Sequence, residues 1–240
     1  MVDLHTHILP GMDDGAGSIG EAVRMSEVFW QQSVDTVVCT PHFNPSETSL
    51  QDYVDKRADA MKKMGQSRVA LVPASETYLH EYLFHYPDLS QLCIRQTDYL
   101  LIELPFTGRW EEAVYGMVER LIYYYHVIPV IAHIERYPAA KKNRRAVARF
   151  IKLGCLIQVN AHSILKWSCW PRIKRYLKKG YIHVIASDSH NLDSRPPLLA
   201  QAYDKINRKL GEQYSDRLKW NAKAVVQGKL LQETTAGLLR

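Results

Sequence analysis

Short apolar or β-branched runs recur along the chain at residues 2–5, 36–40, 69–72, 99–103, 127–131, 156–159 and 183–186. Most are followed by a longer stretch whose apolar positions repeat at helical spacing. The helical stretches are 18–31, 51–64, 111–125, 139–153, 171–179 and 197–210. The first opens with Ser18 and Glu21 at capping-box spacing, and Gly154 and Gly180 stand as C-caps behind two others. Seven strands alternating with helices predict an α/β fold with a parallel sheet covered by helices, closed as a barrel or open.

The polar residues beside those strands change the picture. His5 and His7 follow the first, His42 the second, Glu76 the third and Glu103 ends the fourth. His133 follows the fifth, and Asp188 and His190 follow the seventh. Six of seven strands thus deliver His, Asp or Glu at their carboxyl ends, which converge on the active-site face if the sheet closes. Asp14, in the loop after His7, makes a ninth such residue, and its neighbour Asp13 is an alternative. Any one of them has a bland reading, as a core histidine, a buried ion-pair partner or a cap. Together they would cost several kcal/mol per unpaired charge if buried without cations. His80, His85, His126 and His183 lie off the strand ends and read as structural or surface residues. Histidine and carboxylate ligation without cysteine suits manganese, iron or zinc in a reactive site better than a structural zinc. Nine ligands exceed one ion, so two or three divalent cations sharing carboxylates are expected. Such a cluster can clamp the attacking and leaving oxygens of a phosphoryl transfer.

The chain has 240 residues, 46% of them hydrophobic, enough for one domain over 1–240 with a sizeable core. No apolar run approaches the roughly 20 residues of a membrane span, so no membrane insertion is expected. The first residues lack the basic and apolar regions of a signal peptide, which points to the cytoplasm. A net charge of +6 favours anionic partners. Lys141, Lys142, Arg144 and Arg145 read as a solvated helix face, and no nucleic-acid partner is expected. Cys39, Cys93, Cys155 and Cys169 lack CxxC spacing and read as free thiols in or near the core. Cys169 to Arg175 has the bare C-x5-R spacing of a cysteine-dependent phosphatase. Trp170, Pro171 and Ile173 do not suit a phosphate loop that needs glycine, and that reading is rejected.

His5-Thr-His7, Thr40-Pro-His42, Glu76, Glu103, Ala132-His133 and Ser187-Asp-Ser-His190, in this order, resemble the PHP (polymerase and histidinol phosphatase) family. The resemblance implies a distorted seven-stranded, TIM-like barrel. It also implies three groups of ligands: His5, His7, Glu76 and Asp188; Glu76, Glu103 and His133, with Glu76 bridging; and Asp14, His42 and His190. The stretches from His5 to Gly15, His133 to Tyr137, Val159 to Ala161, Ser187 to Asn191 and Arg195 to Pro197 resemble one branch more closely. That branch is the bacterial manganese-dependent tyrosine phosphatases of capsule and exopolysaccharide loci. The resemblance implies a phosphotyrosine protein as substrate, the tail of a membrane-associated bacterial tyrosine kinase. It favours manganese, with iron, zinc or cobalt as alternatives. A hydroxide bridging two cations would attack phosphorus, and Arg136 and Arg195, beside ligand residues, would grip the phosphate oxygens. Histidinol-phosphate phosphatase is the alternative within the family, and a non-catalytic metal-stabilised docking scaffold the alternative outside enzymes. An amidohydrolase would carry a bridging lysine on the fourth strand, where this chain has Glu103.

Overall fold

Leu4, Val38, Val72, Leu101, Val130 and Val184 share one buried apolar cluster, and the strands that carry them form a curled parallel sheet. The structure, a computed structural model, describes residues 1–231; residues 232–240 of the expected domain lie outside them. In chain order the elements begin with β1 (Val2–Thr6), α1 (Ile19–Gln31), β2 (Thr36–Cys39), β3 (His42–Phe43), α2 (Leu50–Met64), β4 (Ala70–Pro73) and β5 (Glu76–Tyr78). They continue with β6 (Tyr99–Glu103), α3 (Glu112–Tyr123), β7 (Ile128–Ile131), α4 (Pro138–Lys142), α5 (Arg144–Lys152) and β8 (Leu156–Asn160). The last are α6 (Ala161–Leu165), α7 (Trp170–Lys178), β9 (Val184–Ala186), α8 (Leu199–Leu210) and α9 (Glu212–Val226).

The seven expected strands are present, but two of them are broken. The second divides into β2 and β3 around Thr40-Pro41, and the third into β4 and β5 around Ala74-Ser75. Pro41 has no amide to give the ladder, and β4 ends on Pro73. The breaks coincide, because Cys39 pairs with Pro73 before the bend and His42 with Glu76 after it. Two candidate ligands therefore become direct neighbours on adjacent strands.

The sheet runs as β1-β2-β4 and β3-β5-β6-β7-β8-β9. Its two ends meet. The Asp188 amide donates to His5 O and the His7 amide to Ser189 O, both at 2.9 Å. Below them the buried Asp3 carboxylate accepts the Ser187 amide at 3.0 Å. Burial pushes its carboxyl up to about 6 against the hydrogen bonds from Ser187. This tether makes the sheet a TIM-like barrel with its helices outside and a second, larger apolar layer between.

Three helical expectations need correction. The stretch 139–153 is two helices, because Asn143 leaves the helical conformation and its side chain accepts the Arg145 amide as an N-cap. The stretch 197–210 begins only at Leu199. α9 was not foreseen; its Ala222 and Val225 join the barrel's interior cluster, and Asn221 donates to His183 O at 2.7 Å.

His183 is structural, as expected. Its Nδ1 accepts the Ile157 amide at 3.0 Å, which ties β8 to the approach of β9. Burial, reinforced by Arg217, pushes its pKa down to about 4. An unfolded chain binds that proton below about 6.5, whereas the folded chain refuses it. Stability must therefore fall as pH drops from about 6.5 to 4, by up to roughly 3 kcal/mol from this ring alone. A ring-nitrogen NMR titration should give His183 a midpoint near 4. An ordinary midpoint would remove the group from the acid sensitivity of the fold.

Candidate active site

The carboxyl ends of the strands build a buried basin around one side chain, Glu76. Its Oε2 lies 3.1 Å from His5 Nε2, 3.3 Å from His7 Nε2 and 3.1 Å from His42 Nδ1. Its Oε1 lies 2.7 Å from His133 Nε2, which is also 3.5 Å from Glu103. Asp188 Oδ1 sits 3.4 Å from His5 Nε2 and 3.6 Å from His190 Nδ1. His190 Nε2 faces Asp14 Oδ1 at 3.3 Å, and His42 Nε2 faces the same oxygen at 3.5 Å. All nine residues singled out in the sequence are thus linked by contacts of 3.6 Å or less.

Local backbone aims these groups. His133 and Asp188 both follow strand ends in the left-handed region, at φ 29° and 52°. Non-glycine residues pay for that conformation, and here it turns an imidazole and a carboxylate inward. Gly15 has a different necessity, because a Cβ there would collide with the His7 carbonyl. Only glycine lets the loop carrying Asp13 and Asp14 fold down over His7.

The two adjacent aspartates have separate tasks. Asp13 Oδ2 accepts from His7 Nδ1 at 2.7 Å and from the His42 amide at 2.9 Å. Despite burial, these donors hold its carboxyl well below the usual range. Asp14 is the one that reaches His42 and His190. The strand that offered no candidate, β8, supplies a relay instead. Gln158 Oε1 accepts from the His133 amide at 2.6 Å and lies 3.4 Å from His5 Nδ1. Gln158 Nε2 then donates to Asn160, whose Nδ2 donates to Asp188 Oδ2 at 2.6 Å. Sequence reasoning missed Gln158; its only signal was a polar residue between Ile157 and Val159 in a short apolar run.

The donor chemistry fits cations. With Nδ1 of His7 donating to Asp13 and Nδ1 of His5 turned to Gln158, both Nε2 atoms present lone pairs to the basin. Those two nitrogens are only 3.2 Å apart. Glu76 Oε2 touches three rings yet makes no hydrogen bond, and His190 Nε2 has none either. Converging acceptors without donors are costly unless a positive ion sits among them. Burial alone would raise Glu76, but His5 and His133 hold its carboxyl well below the carboxylate range. Three subsets bring ligand atoms within 4.8 Å of one another: His7, Asp14, His42 and His190; His5, His7 and Glu76; and His42, Glu76 and Glu103.

Arg136 Nη1 donates to Asp188 Oδ2 at 3.2 Å, and Arg195 Nη2 to Asp14 Oδ2 at 2.6 Å. Both line a cavity of about 320 Å³ together with Asn160, His162 and Lys166.

A model of the family described as capsular polysaccharide synthesis, CpsB/CapC, matches residues 1–227. The chain belongs to the CpsB/CapC family. It is 31% identical to tyrosine-protein phosphatase CpsB of Streptococcus pneumoniae over 91% of this chain and 94% of that protein. It is 28% identical to tyrosine-protein phosphatase YwqE of Bacillus subtilis over 96% and 93%. Among solved structures, one described with YwqE of B. subtilis and CpsB of S. pneumoniae as metal-dependent tyrosine phosphatases matches with a TM-score of 0.84. That match has 26% identity and covers 97% of this chain and 96% of the other. A lactonase from Listeria monocytogenes, 10% identical with a TM-score of 0.51, covers 96% and 92% and shares the fold alone.

In this CpsB/CapC member the C-x5-R segment is no phosphate loop. Residues from Trp170 onward are the helix α7, with Cys169 at its N-cap and no run of amides curled around an anion. Cys169 lines the same cavity as Arg136, so its substitution is informative. Cys169→Ser should keep phosphatase activity within about twofold of the parent. Near-total loss in a folded variant would reinstate a thiol mechanism.

Proposed function

We propose that this chain is a metal-dependent protein-tyrosine phosphatase, a phosphoric monoester hydrolase. One observation carries the reading: nine histidine and carboxylate side chains gather in one basin centred on Glu76, with two arginines at the rim, in a CpsB/CapC chain. Two or three divalent ions, manganese foremost, would be held by His5, His7, Asp14, His42, Glu76, Glu103, His133, Asp188 and His190. Bound there, they would supply an acidified water and positive charge for the phosphoryl oxygens.

The chain's own groups do the rest. Glu76 shares its two oxygens between the histidines on either side of it. Asp13 and Gln158 fix the ring orientation of His7 and His5, so that Nε2 of each faces inward. Asp188 and Asp14 hold the guanidiniums of Arg136 and Arg195 at the cavity wall, where two planar forks can grip a phosphate. A tyrosine oxygen, with a pKa near ~10, leaves more readily than an alkoxide and needs no strong acid.

The natural substrate in this reading is a phosphotyrosine protein, the tail of a membrane-associated tyrosine kinase that governs capsule or exopolysaccharide synthesis. Support comes from the names of the relatives and from the sequence motifs around His133 and Asp188. Turnover of a phosphotyrosine peptide and of histidinol phosphate, side by side on the manganese-loaded protein, tests it. The peptide should be preferred by at least about 100-fold in kcat/KM, the contrast of a pocket shaped for one substrate. Preference for histidinol phosphate would move the chain to another activity.

A further inference from the structure

Phe106 stands three residues after Glu103, at the end of β6, and is 47% exposed. A phenyl ring left that open in water forgoes much of its burial energy unless a ligand covers it. It is nevertheless firmly placed. Its ring packs 4.6 Å from Tyr137, a fully buried side chain whose hydroxyl accepts the Leu104 amide at 2.9 Å. The loop beyond it is pinned, because the Trp110 indole donates to Pro105 O at 3.1 Å and the Thr107 hydroxyl to Arg109 O at 2.7 Å.

The ring's position relative to the basin gives it meaning. It lies 5.9 Å from the His133 ring at an interplanar angle of 30°, and the Arg136 guanidinium sits 5.5 Å from its centroid. His133 touches Glu76, and Arg136 touches Asp188. Phe106 is therefore one residue away from both halves of the centre. In an aryl phosphate the ester oxygen joins phosphorus directly to the ring. A phosphate gripped by Arg136 at the basin places that ring at the rim, within the roughly 4.5–7 Å spacing of an aromatic pair.

We propose that Phe106 is a specificity-determining residue: its exposed ring forms the wall against which the phenyl group of the substrate stacks. The proposal rests on the phosphatase reading above and adds what selects an aromatic leaving group. Phe106 contributes affinity for the ring, while the phosphate is held by other groups.

The test compares Phe106→Leu, which keeps apolar bulk, Phe106→Ala and Phe106→Trp on the manganese-loaded chain. For a phosphotyrosine peptide, Leu and Ala should raise KM by roughly 5- to 10-fold, the size of an aromatic-pair loss, with little change in kcat. Trp should keep KM near the parent value. Isothermal titration with a peptide carrying a non-hydrolysable phosphonate in place of phosphotyrosine should show the same weakening without turnover. Inhibition by inorganic phosphate should move by less than about twofold. An unchanged KM in the Leu and Ala variants overturns the proposal. So does an equal loss of phosphate inhibition, which would make Phe106 a prop for Arg136. A parent protein that ignores phosphotyrosine fails the phosphatase reading itself, before any variant is compared.

Discussion

Glu76→Gln should lower kcat/KM toward a phosphotyrosine peptide by at least about a thousandfold. Removing a group that only supports metal ligands costs roughly 10- to 100-fold, and Glu76 stands closer to the chemistry than that. Its two oxygens touch His5, His7, His42 and His133, four of the eight other candidate ligands. Glutamine keeps the shape but removes one charge and turns one acceptor into a donor. A donated N–H aimed at Nε2 lone pairs would hydrogen-bond the very atoms a cation needs. Bound metal, counted by elemental analysis, should therefore fall with activity. The unfolding midpoint of the manganese-loaded variant should fall with the metal it loses, because each filled site stabilises the folded state. Glu103→Gln is the internal comparison: Glu103 meets His133 at 3.5 Å and lies at the half-buried edge. Its loss should be the smaller. A Glu76→Gln protein with full metal content and activity within tenfold of the parent would break the proposed ligand scheme at its centre.

The positions that made this prediction possible were readable because two periodicities coincide. Strand residues alternate between the barrel interior and the helical layer, so an apolar run followed by His, Asp or Glu marks a strand and its carboxyl end together. That signal placed His5, His42, Glu76, Glu103, His133 and Asp188 beside one another without coordinates. What it left out depends on contacts between strands. The paired breaks at Thr40-Pro41 and Ala74-Ser75 follow from β2 and β4 bending in step, which neither segment announces alone. Asp13 and Asp14 are adjacent in sequence and equivalent in type; only the fold of the loop over Gly15 sends one behind His7 and the other to His190. Gln158 and Asn160 are amides, silent to a search for charged ligands, yet they connect His5 and His133 to Asp188. α9 was missed because its mixed polar composition hides the few small residues, such as Ala222, that enter the barrel. Phe106 carries no signal of its own in the sequence, and only its distance to His133 gives it one.

Exhaustive chelation should abolish phosphatase activity, and manganese added back to the stripped chain should restore it. The basin holds its two central acids ionised: Glu76 and Asp188 both titrate far below the ordinary carboxylate range, despite burial, because histidines surround them. In a stripped protein that compensation must come from protons on His5 and His7, whose pKa values are raised against their burial by Glu76, Asp188 and Asp13. Cations and protons then compete for the same Nε2 atoms, so metal binding should weaken as pH falls and should release protons when it occurs. Each site filled at about 100 times its dissociation constant adds about 2.7 kcal/mol to the folded state. For a chain of this size that lifts the unfolding midpoint by roughly 5–10 °C per site. A melting curve thus reads occupancy independently of turnover. Iron, cobalt and zinc should each raise the midpoint, since imidazole and carboxylate donors accept all of them, and manganese should restore the most activity. Activity that persists in protein shown by elemental analysis to hold no metal would mean that the nine converging side chains serve something other than cations.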